Sequence, residues 1–100
     1  MEHTKDLQQF FLSMMVTEPS LFVRVQNILN VENFDRTLRD AVKYIIDFTN
    51  KYQVMPDIEK IKLASNISLT HIADLLEQDI DWFFDEFEKL SYFVFINAKI

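Results

Sequence analysis

A chain of 100 residues with a formal charge of −6, 49% hydrophobic side chains and 10 Phe reads as one acidic, aromatic-cored domain, ill suited to nonspecific phosphate-backbone binding. It contains no glycine and no cysteine. That excludes disulfides, thiolate metal sites, Walker A loops, GxGxxG dinucleotide turns and GxSxG nucleophile elbows, and it leaves hairpin turns without their usual residue.

The hydrophobic periodicity then divides the chain into helices. Thr4 is placed to cap a first helix from about Lys5 to Val16, with Leu7, Phe10, Phe11, Met14 and Met15 on one stripe. Thr17, Glu18 and Pro19 break it, because proline is tolerated only in a first turn. A second helix is expected from about Ser20 to Leu29, burying Leu21, Phe22, Val25, Ile28 and Leu29. Asn30 to Asn33 form a turn, and Phe34 plugs back into the core. The third helix runs from about Asp35 to Tyr52. Leu38, Val42, Ile45, Phe48 or Thr49, and Tyr52 face inward, with Arg36, Arg39, Asp40, Lys43 and Asp47 opposite.

Gln53 to Pro56 connect to a short helix capped by Asp57 and carrying Ile58, Ile61 and Leu63. After a loop at Ser65 to Ser68, the spacing of Ile72, Leu75 and Leu76 predicts another short helix from Thr70 to Glu77. A terminal helix starts near Asp79 or Ile80 and runs to Ile100 with no capping signal. Its first half is amphipathic, with Phe83, Phe87 and Leu90 against Asp81, Asp85 and Glu88. Its second half is apolar all round at Tyr92, Phe93, Val94, Phe95 and Ile96. The YFVFI segment has β propensity, but the register from Phe83 to Leu90 continues into it, so helix is preferred.

The expected architecture is therefore all-α: a single compact, orthogonal bundle of five or six helices over residues 1–100, with a protruding C-terminal helix. No apolar run approaches the roughly 18 residues of a membrane span. The opening MEHTKDL lacks the pattern of a signal peptide.

Candidate chemistry is sparse. His3 and His71 have no second histidine at ligand spacing, so no metal is expected. Glu77, Asp79, Asp81, Asp85, Glu86 and Glu88 form an acidic run. It fails as an EF-hand loop, which needs glycine at its sixth position, and reads as a solvated helix face. Trp82 is a core anchor or an anchor for a partner. A helix apolar on every side needs contacts beyond its own domain. The candidate interface residues are accordingly Trp82, Tyr92, Phe93, Phe95, Ile96 and Ile100, with twofold self-association the simplest way to cover them. No catalytic or cofactor-binding residue is identified.

The segment QFFLSMMVTEPSLF, residues 9–22, resembles the opening of the N-terminal domain of DnaB-family replicative helicases. Leu12-Ser13, Glu18-Pro19 and Leu21-Phe22 stand at that family's apolar-small, acidic-Pro and apolar-pair positions. NVENF at 30–34 and Met55-Pro56-Asp57 are similar to the turn and helix start that follow. DIDWFFDEFEKL at 79–90 resembles the version in T-even-like phages. The chain departs from the family at Tyr92 to Phe95, where the family carries basic residues, and it lacks the Walker A motor. The resemblance implies a non-catalytic collar domain of an ATP-dependent DNA helicase. Such a domain pairs, joins a hexameric ring and contacts primase or a helicase loader in the cytoplasm of a bacterium or phage-infected cell. Its terminal helix at 79–100 would lead toward the linker and motor. The alternative is a free-standing small phage protein that binds and inhibits or adapts a host protein through the aromatic helix.

Overall fold

The computed structural model describes the backbone of residues 4–99 and the side chains of residues 4–90. Among the described residues the secondary structure is entirely helical. The order is α1 (Lys5–Thr17), α2 (Pro19–Val25), 3-10 turns at Val31–Asn33 and Arg36–Leu38, α3 (Arg39–Tyr52), α4 (Ile58–Ser65) and α5 (Glu77–Lys99).

α1 is the central helix. Thr4 caps it, Oγ1 accepting the Leu7 N–H at 3.3 Å. Phe11, Leu12, Ser13, Met14 and Met15 are all buried. Five consecutive buried positions exceed one full turn, so neighbours surround this stretch, where one stripe was expected. Phe10, expected on that stripe, is instead 41% exposed. Glu18 ends the helix because the residue before proline is driven from the helical region; it sits at φ −126°, ψ 89°. Pro19 then opens α2.

α2 stops at Val25, earlier than the apolar pattern suggested, and Ile28 is 41% exposed. The chain turns here to bring Leu29 and Val31 onto the core and to bury Phe34. Asn30 Oδ1 accepts the Glu32 N–H at 3.0 Å, starting the first 3-10 turn. Arg39 Nε donates to the Phe34 carbonyl at 3.0 Å and Nη2 to that of Glu32 at 3.2 Å. Arg39, expected to be solvated, is half-buried as a residue, and its guanidinium clamps the turn before its own helix.

Asp35 caps a 3-10 turn rather than α3 itself, accepting from the Thr37 hydroxyl at 2.6 Å and N–H at 3.0 Å. Those two bonds hold the Asp35 carboxyl below its ordinary range. Asp57 caps α4 through the Lys60 N–H at 2.9 Å, and the Lys60 ammonium and N–H lower its pKa. A carboxylate depressed in the folded state stabilises above the ordinary range and is lost as pH falls through the lowered value. Both caps therefore weaken in acid.

α3 and α4 both end in left-handed residues, and without glycine the chain places Gln53 (φ 61°) and Asn66 (φ 61°) there. A non-glycine residue in this region costs about 1–2 kcal/mol. Gly at 53 removes that cost, partly offset by a more flexible unfolded chain of about 0.4–1 kcal/mol. Gln53→Gly is expected to raise the melting temperature by about 3–6 °C, measured by calorimetry. A fall would mean that the Gln53 Nε2 bond to the Asn50 carbonyl at 2.9 Å outweighs the strain.

The predicted helix at Thr70–Glu77 does not form. Residues 66–72 carry no helix, a turn follows at 73–74, and α5 begins at Glu77. Three polar side chains on α1, at i, i+4 and i+8, capture the segment. Gln9 Nε2 donates to the Ser68 carbonyl at 2.8 Å. Ser13 Oγ accepts the Thr70 N–H at 3.1 Å, and Thr17 Oγ1 accepts the Ile72 N–H at 2.9 Å. Four helical residues advance about 6 Å and two extended residues about 6.6 Å. The two spacings match, so alternate residues of an extended strap meet successive turns of α1. Leu69 is buried beneath the strap, while Leu76, assigned to the missing helix, is 55% exposed.

α5 starts with half a capping box: Asp79 Oδ2 accepts the Leu76 N–H at 3.0 Å. Phe83, Phe87 and Leu90 then face the core. Phe11 of α1 meets Phe83 at 5.6 Å and Phe87 at 5.9 Å, both edge-to-face, and Phe83 stacks on Phe87 at 5.4 Å. Phe34 lies 6.3 Å from Phe87. This aromatic cluster fixes the direction in which α5 leaves the domain.

Candidate interaction surface

α5 is a 23-residue helix whose N-terminal half is docked. Trp82 sits at the edge of that contact, half-buried. Its ring packs on Phe11 at 5.7 Å and edge-on to Phe10 at 6.0 Å. It is therefore tied into the domain on one side, with the exposed Phe10 beside it. Two residues further along α5, on another side of the helix, Arg24 of α2 lies 3.8 Å above the Phe84 ring, closing the α2–α5 seam by a cation–π contact.

Of the other expected interface residues, Tyr92, Phe93, Phe95 and Ile96 fall on the α5 backbone, and their side chains lie outside the described residues, as does Ile100 altogether. His3 also lies outside the described residues.

The acidic run does not stay together. Glu77, Asp81, Asp85 and Glu88 are exposed along α5, and Asp79 is used as the cap. Glu86, assigned to the solvated face, is buried at 8% exposure and pairs with Lys89 Nζ at 3.3 Å. At about 100° per residue, Glu86 lies about 60° from Phe83 and about 40° from Leu90 around the helix, flanking the core face. Among the described residues no three His, Cys, Asp or Glu side chains gather into a group able to hold a metal ion. His71 is exposed on the strap. No described helix is long and apolar enough to cross a membrane.

A second surface was not assigned from the sequence. On α3, Tyr44, Phe48 and Tyr52 stand at i, i+4 and i+8, with ring centroids 5.7 and 4.6 Å apart. With Asp47 and Lys51 they line an open groove of about 270 Å³. Phe48 or Thr49, and Tyr52, were expected to face inward; Phe48 and Thr49 are both half-buried. The buried residues of α3 end at Ile45, so Tyr52, two turns further, passes beyond the core and is 53% exposed. Leu63, expected inside α4, is 87% exposed, because it lies about 200° around the helix from the buried Ile61. An aromatic at every fourth position of α3 was the sequence signal for this ladder; its overlap with the inward-facing row concealed it.

No protein-family model, curated protein or solved structure compared with the chain matches it.

Proposed function

We propose that this chain is the non-catalytic N-terminal assembly domain of a DnaB-like replicative DNA helicase, supporting ring assembly and contact with primase or a loader. The observation that carries the reading is α5. Its first half is fastened to the domain by Phe83, Phe87 and Leu90, and the helix continues to Lys99 through the apolar sequence of Tyr92 to Ile96. A helix anchored at one end and apolar around its circumference at the other suits helix–helix assembly. Fully burying each large apolar side chain contributes roughly 1.5–3 kcal/mol, so partial burial of several supports association. The order of motifs from Gln9 to Leu90 that resembles the helicase domain points the same way. The acidic charge and scattered lysines favour a protein partner over single-stranded DNA.

The test is Phe93→Asp with Ile96→Asp, compared with the parent by light scattering across a concentration series and by calorimetric titration with a T-even-type phage primase. The parent is expected to self-associate or bind the primase saturably. The double variant should lose both while keeping its helical circular dichroism. A parent that stays monomeric and ignores the primase overturns the reading.

A further inference from the structure

The α3 ladder carries a second, separate interface. We propose that Tyr44, Phe48 and Tyr52 dock against the same ladder of a second copy of this chain, with the two α3 helices antiparallel about a twofold axis at Phe48. This inference does not rest on the reading of the terminal helix.

Two features of the ladder select a second copy. The first is the order of the rings. Tyr–Phe–Tyr reads the same in both directions, so an axis through Phe48 sets Tyr44 opposite Tyr52 of the second copy at both ends. Tyr52 is 53% exposed, Tyr44 and Phe48 are half-buried, and all three line the open groove, which presents one edge of the ladder to another helix. Offset and edge-to-face ring pairs at this spacing are favourable, and Tyr keeps its hydroxyl at the wet rim.

The second feature is charge. Asp47 and Lys51 both line the groove, on the same side of the ladder. Among the described residues neither enters an ion pair, and Lys51 Nζ instead lies 5.2 Å from the Tyr52 ring. Antiparallel pairing about Phe48 keeps that side of each helix facing the same side of the other. Asp47 then falls about 3 Å along the axis from Lys51 of the second copy, and the reverse pair forms by symmetry. A basic peptide would satisfy only Asp47 and an acidic one only Lys51. A nucleic acid would meet Asp47 and the chain's charge of −6. A second copy satisfies both charges at once, as an isologous interface requires.

The contact is small. Three rings already packed on their own helix add on the order of a few hundred Å² per copy, below the roughly 800 Å² per partner of a standard interface. The association is therefore weak on its own and gains weight where another contact holds two copies together.

The experiment is charge exchange, read by sedimentation equilibrium up to millimolar chain. Asp47→Lys and Lys51→Asp are both surface changes that leave the core untouched. Each alone places like charges across the axis and should weaken association about tenfold or more. Mixed in equal amounts, Asp47→Lys and Lys51→Asp chains are complementary, and parent-like association should return. Three results would overturn the proposal: a monomeric parent, a mixture no better than the single variants, or association unmoved by both changes. In the last case, loss of association in Phe93→Asp, Ile96→Asp chains would leave the terminal-helix reading standing alone.

Discussion

Phe11→Ala is expected to be the most damaging single truncation in this domain, costing about 3–5 kcal/mol. Phe11 is fully buried, and its ring meets those of Trp82, Phe83 and Phe87. Removing it deletes the transfer energy of the ring, opens a cavity between α1 and α5, and breaks ring pairs each worth about 0.5–1.5 kcal/mol beyond burial. Domains of this kind hold about 5–15 kcal/mol in total, so the variant should sit near its unfolding threshold at room temperature. Urea denaturation followed by circular dichroism measures the loss. A cost below about 1 kcal/mol would show that α5 is not docked through this ring.

The second large effect concerns the strap. Ser13→Ala combined with Thr17→Val removes the acceptors of the Thr70 and Ile72 N–H groups while keeping the shape of α1. Thr70 is exposed and Ile72 half-buried, so each lost hydrogen bond costs about 0.5–1.5 kcal/mol and the double variant about 1–3 kcal/mol. Thr17→Val also removes the hydroxyl that donates to the Ser13 carbonyl at 2.8 Å, a local bond whose loss the helix tolerates. Native-state hydrogen exchange separates the two effects. Thr70 and Ile72 amides should lose protection far more than amides inside α3. Unchanged exchange at those two positions would show that the strap is held by Leu69 burial alone.

The strap also shows where sequence reasoning stopped. Ile72, Leu75 and Leu76 obey the helical spacing, and a local window holds nothing to contradict them. What decides their conformation is a row of acceptors and a donor 55–59 residues earlier in the chain. Gln9, Ser13 and Thr17 were visible as a polar row on an otherwise apolar helix, and that row was the available clue. The elements that local physics controls were legible. Thr4 and Asp57 cap as their side chains dictate, Glu18-Pro19 breaks α1 from α2, and Phe34 plugs the core. Ile45, Phe83 and Phe87 face inward because their periodicity leaves no other choice. The proposed interface was legible only as an apolar excess at Tyr92 to Ile96; the ladder on α3 escaped because one helix row serves first the core and then the surface.

The placement of α1 has a consequence for how the chain is made. α1 leaves the ribosome before α5, whose rings enclose Phe11. Synthesis at about 5–20 residues per second separates the two by several seconds. During that interval Phe11, Met14 and Met15 have no permanent cover. The nascent chain can shelter them only in part, through contacts with α2 and α3, until α5 arrives. Closure of the domain is thus tied to the completion of translation through Phe87, and premature truncation upstream of that residue would leave a sticky fragment instead of a smaller domain.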